Sequence, residues 1–477
     1  MKKTRKICAL LLAIVLAVVM IVGCRQDSGD GAADTAPAAE TTDDAQADEA
    51  GETADTDEAE ETVDTEEPAA PADGAEAAEP VDLVFWLSNE IHQWYFESGA
   101  NSWNESHPDR PVNVQFEIFP LAQLNTNLLM AFQVGDGAPD LVDINLNHFT
   151  NYFVGDIQLA PLNRVVDPVR QYFVESRFDI YTHEGIVYGL PTHVGATVVY
   201  YNRPLLEAVG IDIDTLTTWE AFEQAGRDYT EATGNAFTAI ETANQRPFWP
   251  MIVQRGGDYT DHYGNVTLDS DVNIEVLEQL YRWMHVYGFA STFPGGSTAV
   301  EETWAFINDG GIAALIMPMW YMSRFVSYMP DIYGDIFVRP LPRSTANCSY
   351  SVGIGGTGTS VTTQSEHIDL ATDLLAYMKL TPEANIRLWT YANFDPPRWD
   401  VWYAPELQSP HSYFGNEVVF NTLLEMRDNI PSPANTLLSP AAQDIVMNQV
   451  MFRALESRDD PATVLREAAD ELRAINP

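Results

Sequence analysis

Glu184-Gly-Ile-Val-Tyr-Gly-Leu-Pro-Thr-His-Val-Gly-Ala-Thr-Val-Val-Tyr-Tyr-Asn-Arg203 decides the fold. Its first part, Ile186 to Leu190, reads as a short extended segment closed by Pro191. Its second part, Ala196 to Tyr201, is a β-branched and aromatic run, the composition of a buried strand. Between them stand Thr192, His193 and Gly195, too polar and too flexible for a strand interior. Such a junction carries a chain from one lobe to another.

Upstream, the chain alternates between two periods. Val81 to Leu87 reads as a strand, and residues 91–106 as a helix with His92, Phe96, Ala100 and Trp103 on one face. Val112, Val114, Phe116 and Ile118 alternate as a strand does, and Leu121, Leu124, Leu128 and Ala131 mark an amphipathic helix. Leu141 to Ile144 is a third short strand. This β-α-β-α-β order predicts a mostly parallel sheet with right-handed crossovers. Ligands of such sheets bind beyond the carboxyl ends of the strands. Those ends are Ser88-Asn89-Glu90 and Asn145-Leu-Asn147-His148, polar rims that would also serve as helix caps and turns.

Downstream, Thr217-x-x-Glu220 reads as a capping box, opening a helix lined by Trp219, Phe222 and Tyr229. Asn244-Gln245-Arg246-Pro-Phe-Trp249-Pro250 begins as a loop, and residues 272–287 form another helix. Gly310 to Met317 gives a glycine turn and a buried strand, followed by Met319-Trp320-Tyr321. Gly353-Ile-Gly355-Gly-Thr-Gly358 matches the dinucleotide fingerprint, but the acid that holds a ribose would fall inside the next helix. A second interlobe crossover suits the segment better. Helices follow around Ala371 to Met378 and from Thr381, and again from about residue 416 to the end.

Taken together, Tyr188-Gly-Leu-Pro191, Tyr200-Tyr-Asn-Arg203 and then Thr218-Trp219-Glu220-Ala-Phe222 resemble the hinge region of the family 1 extracellular solute-binding proteins. The resemblance runs over essentially all of residues 81–477. It implies an α/β, two-lobed type II periplasmic-binding-protein fold with three interlobe crossovers. The N-terminal lobe would be residues 81–192, completed by about 354–394. The C-terminal lobe would be 193–353, completed by about 395–477. Asn393-Phe394-Asp395-Pro396-Pro397-Arg398-Trp399 matches the family's proline-containing third crossover, and Trp320 stands where the family's sugar-stacking tryptophan often does.

The chain begins with Lys2, Lys3, Arg5 and Lys6, an apolar run from Ile7, and Ile21-Val22-Gly23-Cys24. Residues 1–23 read as a secretory signal and Cys24 as a lipid-attachment site, which places the protein on the outer face of the cell membrane. Residues 24–80 read as a tether. From 25 to 80 they hold 20 Asp and Glu, one Arg and no Leu, Ile, Met or aromatic residue. Such a composition does not bury enough apolar surface to offset chain entropy. The formal net charge of the whole chain is −45, and residues 81–477 keep 50 acids against 20 bases. That surface repels nucleic acid and anionic lipid. Cys8 leaves with the signal and Cys24 is lipidated, so Cys348 has no partner for a disulfide.

The loops around the expected cleft suit a saccharide. Sugars offer an apolar C–H face to aromatic rings and a ring of hydroxyls to amides, carboxylates, Arg and His. The candidate ligand-binding residues are Asn89, Glu90, Asn145, Asn147, His148, His193, Gln245, Arg246, Trp249, Trp320, Tyr321, Arg398 and Trp399. Each has a structural alternative: Trp249 and Trp320 as core, His193 as a hinge brace, Glu90 as a first-turn acid, Arg398 with Trp399 as a packed pair. No metal-ligand pair, nucleophile elbow or phosphate loop is present, so no cofactor or metal is expected. The family resemblance implies a monomer that delivers its sugar to ABC permease subunits. Asn89-Glu90-x-His92, Asp143-Ile-Asn145 and Thr192-His-Val-Gly195 are most similar to binders of plant-derived oligosaccharides, arabinose oligomers among them. The rival classes are a secreted glycoside hydrolase and a sugar-sensing surface protein without transport.

Overall fold

The computed structural model describes residues 78–427 and 429–475. The signal peptide, Cys24 and nearly all of the tether lie outside the described residues. Among those residues no helix is long and apolar enough to cross a membrane.

Two sheets organise the chain. The first is built from β1 (Val81–Leu87), β2 (Val112–Ile118), β3 (Leu141–Asn145), β4 (Leu190–Pro191) and, much later, β8 (Thr357–Val361). Between them the second takes β5 (Thr197–Asn202), β6 (Ala314–Pro318) and β7 (Ile336–Pro340). The first sheet runs β2-β1-β3-β8-β4. β1 pairs in parallel with both β2 and β3, as the alternating order upstream predicts, while β8 lies antiparallel between β3 and β4. The second sheet, β6-β5-β7, is wholly antiparallel.

Burial follows from these positions. In β1 the alternate residues Leu83, Phe85 and Leu87 are buried beneath α1 (Glu90–Ser106), whose Phe96, Ala100 and Trp103 face the same core. α2 (Leu121–Val134) buries Leu124 and Leu128 against a second core that includes Val142 and Ile144. β5 is buried at all six positions, because it is the central strand and both of its faces are covered. α3 (Trp219–Thr233) is capped by Thr218, whose hydroxyl accepts from the Ala221 N–H at 3.1 Å. The cap thus sits one residue later than the Thr217 box read from the sequence. The Thr217 N–H and carbonyl are instead bonded to Thr215 and Arg343.

Three crossovers run side by side between the sheets. The chain leaves the first sheet at Pro191, returns from Pro340 through Val352 to Thr357, and leaves again at Asn393 to Pro396. They are stitched together by backbone bonds: Thr192 N–H to the Thr357 carbonyl, Ile354 N–H to Gly195, and Val194 N–H to Asp395. Gly195 is required here. Its φ is +66°, and a Cβ would lie 2.4 Å from the Ile354 carbonyl oxygen. The late helix Ser439–Ile445 packs on the short helix Leu146–Phe149, and its continuation through Val446–Val450 brings Met447 to the edge of the gap between the sheets.

Candidate functional site

The gap encloses a cleft of about 400 Å³. One wall is the carboxyl ends of β1 and β3, with Ser88, Asn89, Asn145 and Asn147. The opposite wall comes from the segment 244–249 and from Trp320 with the start of α4 (Met322–Tyr328). The crossovers line the space between, through His193, Ile354 to Thr357 and Phe394.

The first wall has two uses for Asn89 and Asn145. Asn89 Oδ1 accepts from the Ile91 N–H at 2.9 Å and caps α1; Asn145 Oδ1 accepts from the Asn147 N–H at 3.0 Å and caps the next short helix. The cap reading and the rim reading of these residues therefore hold together. Among the described residues, the amide nitrogens of Asn89 and Asn145 and the whole amide of Asn147 make no bond inside the protein. Those groups face a cleft, and an unbonded polar group there is available to a guest.

The second wall is more committed. Arg246 is held by Glu241 through two bonds, 2.7 and 3.0 Å, and its guanidinium lies 5.4 Å from the Trp320 ring centre. Gln245 lines the cleft but is only 4% exposed. Its amide nitrogen donates to Gln443 and its oxygen accepts from Tyr259. Trp249 is 2% exposed, donates to Asp258 and stacks on Tyr259 at 5.4 Å, so it is a core side chain with one edge at the wall. Trp320 is half-buried and donates to the Ile354 carbonyl at 3.3 Å. Gly355 lets it come so close, since a Cβ there would stand 2.9 Å from the indole nitrogen.

The remaining five candidates stand elsewhere. Glu90 is exposed in the first turn of α1. His148 is half-buried, and burial pushes its pKa down. Tyr321, next to Trp320, is 1% exposed and donates to the Thr298 carbonyl. Arg398 donates to the Leu380 carbonyl and pairs with Asp400. Trp399 lines a different pocket, with Phe173 and Ser176. The cleft also takes residues the sequence reading did not single out for binding: His92, Asn244, Ser323, Arg324, Phe394 and Met447. Ser323 and Arg324 follow Trp320 by three and four residues, the spacing that shares a helix face, and that signal was available.

Beneath the cleft lies a buried polar junction. His92 Nδ1 meets Asp143 Oδ2 at 2.6 Å, and the Thr359 hydroxyl donates to Asp143 Oδ1 at 2.7 Å. Lys379, in α5 (Ile368–Leu380), donates to Thr359 at 2.8 Å and to Thr192 at 2.6 Å. Burial alone would raise the Asp143 carboxyl, but His92, Lys379 and Thr359 hold it well below the ordinary carboxylate range. Burial pushes Lys379 down to about 7, with Asp143 pulling the other way. Arg177, wholly buried, donates to the carbonyls of Gly353 at 2.8 Å and Gly355 at 2.7 Å, which fixes the second crossover. Asp395 accepts from the Ala196 N–H at 2.8 Å, and burial raises its carboxyl to about 7. Burial, reinforced by Arg177, keeps His193 neutral.

A family model described as bacterial extracellular solute-binding protein matches residues 89–385. An arabinooligosaccharide-binding protein of Halalkalibacterium halodurans is 41% identical over 396 residues, covering 82% of this chain and 89% of that protein. The arabinooligosaccharide-binding protein of Bacillus subtilis is 37% identical, covering 82% and 92%. Among solved structures, the sugar-binding protein MalE of Xanthomonas citri superposes with a TM-score of 0.71 at 18% identity, covering 83% of this chain and 97% of that one. At that identity the likeness concerns the fold, which it matches from end to end of the partner.

Proposed function

The chain belongs to the bacterial extracellular solute-binding protein family, and from that premise we propose that its cleft captures a sugar, most specifically an oligomer of arabinose. It is a binding protein and not an enzyme. The observation that supports this most is the cleft's lining. It offers a half-buried tryptophan, four asparagines with unbonded amide groups and, among the described residues, no Asp or Glu. Glycoside hydrolysis uses a pair of carboxylates astride the bond, and this cleft presents none. Asn89, Asn145, Asn147 and Trp320 are the ligand-binding residues we retain. His193, Gln245, Arg246 and Trp249 shape the walls.

We assign residues 81–192 with about 354–394 to one lobe, and 193–353 with about 395–477 to the other. The three crossovers would form the hinge. A sugar touching both lobes favours the closed form by its differential affinity for that form. We further assign Cys24 as the lipid-bearing residue that tethers the monomer outside the membrane, beside the ABC permease that receives the sugar.

The test is a thermal-shift screen with arabinose oligomers, other saccharides, peptides and metal chelates. A ligand at 100 times its Kd stabilises by about 2.7 kcal/mol, and only a specific guest raises the midpoint. Arabinotriose is expected to do so. If a peptide or chelate stabilises the protein and no saccharide does, the sugar reading is wrong.

A further inference from the structure

The cleft inverts the charge pattern of the rest of the molecule. Residues 81–477 hold 50 acids against 20 bases. Yet the ionisable residues that line the cleft are His92, His193, Arg246 and Arg324. Three of these are answered within the protein. Glu241 holds Arg246 in two bonds, Asp143 holds His92, and His193 is buried and neutral.

Arg324 is not answered in this way. Among the described residues it forms no ion pair, and its polar contact is a long donation from Nη1 to Ser323 Oγ at 3.4 Å. It is half-buried, and burial already pulls its pKa down. It stands four residues after Trp320, on the face that meets the cleft. Across the cleft are the unbonded amide nitrogens of Asn89 and Asn145. The lining therefore has a surplus of donors and one uncompensated positive charge. A planar guanidinium grips two neighbouring acceptor oxygens at once.

We propose that Arg324 anchors the guest through a pair of adjacent acceptor oxygens, a vicinal diol or the carboxylate of a sugar acid, and that it makes the cleft reject sugars carrying an amine. The proposal rests on the saccharide reading above. It extends that reading by naming a residue and a charge rule.

Calorimetric titration of the folded chain with three probes tests it. The probes are arabinotriose, the same trisaccharide with the primary carbon of an end residue oxidised to a carboxylate, and the same with an amine there. The acidic surface repels an anionic guest at long range, so titrations are run at physiological salt. The wild type is expected to bind the carboxylate form at least as tightly as arabinotriose, and the amine form about tenfold more weakly or worse. Arg324→Gln should weaken arabinotriose about tenfold and shrink the penalty on the amine form to below about threefold. A still larger loss for the carboxylate form identifies the carboxylate as the pair held; equal losses identify the diol. Arg324→Lys keeps the charge order but loses affinity for arabinotriose, because a point charge does not reproduce the fork. The thermal midpoints of the empty variants establish that both fold. Wild-type affinities and ratios in Arg324→Gln overturn the proposal and leave the sugar reading standing. Failure of the wild type to bind any of the three overturns the arabinose assignment and the proposal with it.

Discussion

The buried junction and the cleft beside it are both polar, but their hydrogen bonds go to different places. At the junction, Asp143, Lys379 and Arg177 are each bonded to other parts of the same chain. In the cleft, Asn89 and Asn145 use only their oxygens for the protein, and Asn147 and Arg324 have almost all of their bonding capacity left. The junction lies at low dielectric, where an unpaired charge is costly and a paired one holds a specific geometry. The cleft's asparagines and Arg324 are partly exposed, so their unbonded groups are served by water until a guest takes them. One region fixes where the crossovers lie; the other leaves capacity for recognition.

The most severe way to break this contrast is Asp143→Ala. The change strips the counter-charge from Lys379 and an acceptor from both His92 and Thr359. Breaking a buried pair from one side costs about 3–5 kcal/mol. A urea titration should show a loss of that size, and a loss below about 1 kcal/mol would mean that the junction does not hold the fold.

The pH dependence of stability comes next. Asp395 is raised to about 7 by burial, above its unfolded value near 4. The folded state thus keeps a proton that the unfolded state releases, and stability falls as pH rises through this window. The fall is at most roughly 4 kcal/mol. Lys379, pulled down to about 7, acts in a separate window: from about 7 to 10 the folded state has lost the proton and stability rises with pH. Thermal midpoints taken from pH 4 to 7 should flatten in Asp395→Asn. An unchanged slope would place the titrating group elsewhere.

On the cleft side, Trp320→Ala should weaken sugar binding by about 1–3 kcal/mol, the worth of a ring stacked on a ligand. Intact affinity with lowered stability would instead make Trp320 part of the junction's support. The smallest effect sharpens the comparison as a control. Thr218→Ala removes the cap of α3, which touches neither region, and should cost about 1 kcal/mol of stability with no change in affinity.

Much of the fold was legible before any coordinates. The alternation in β1, the β-branched and aromatic run of β5 and the 3.6-residue stripes of α1 and α2 are local patterns, each reporting how an element meets a core. The polar, glycine-bearing junction at 192–195 announced a crossover by its residues, whereas those at 353–356 and 393–397 were implied by the family resemblance.

The cleft was only half legible. Trp320 and Tyr321 are neighbours in sequence, but one borders the cleft and the other points into the core toward Thr298. Gln245 lost its freedom to Gln443, 198 positions away, and Trp249 to Asp258 and Tyr259. Arg398 was taken by Asp400 and the Leu380 carbonyl. By itself the sequence determined the main elements and their order, because periodicity is a property of each segment alone. Which polar side chains retained unbonded donors was settled only in the tertiary structure, because a donor's freedom depends on the segments that fold against it.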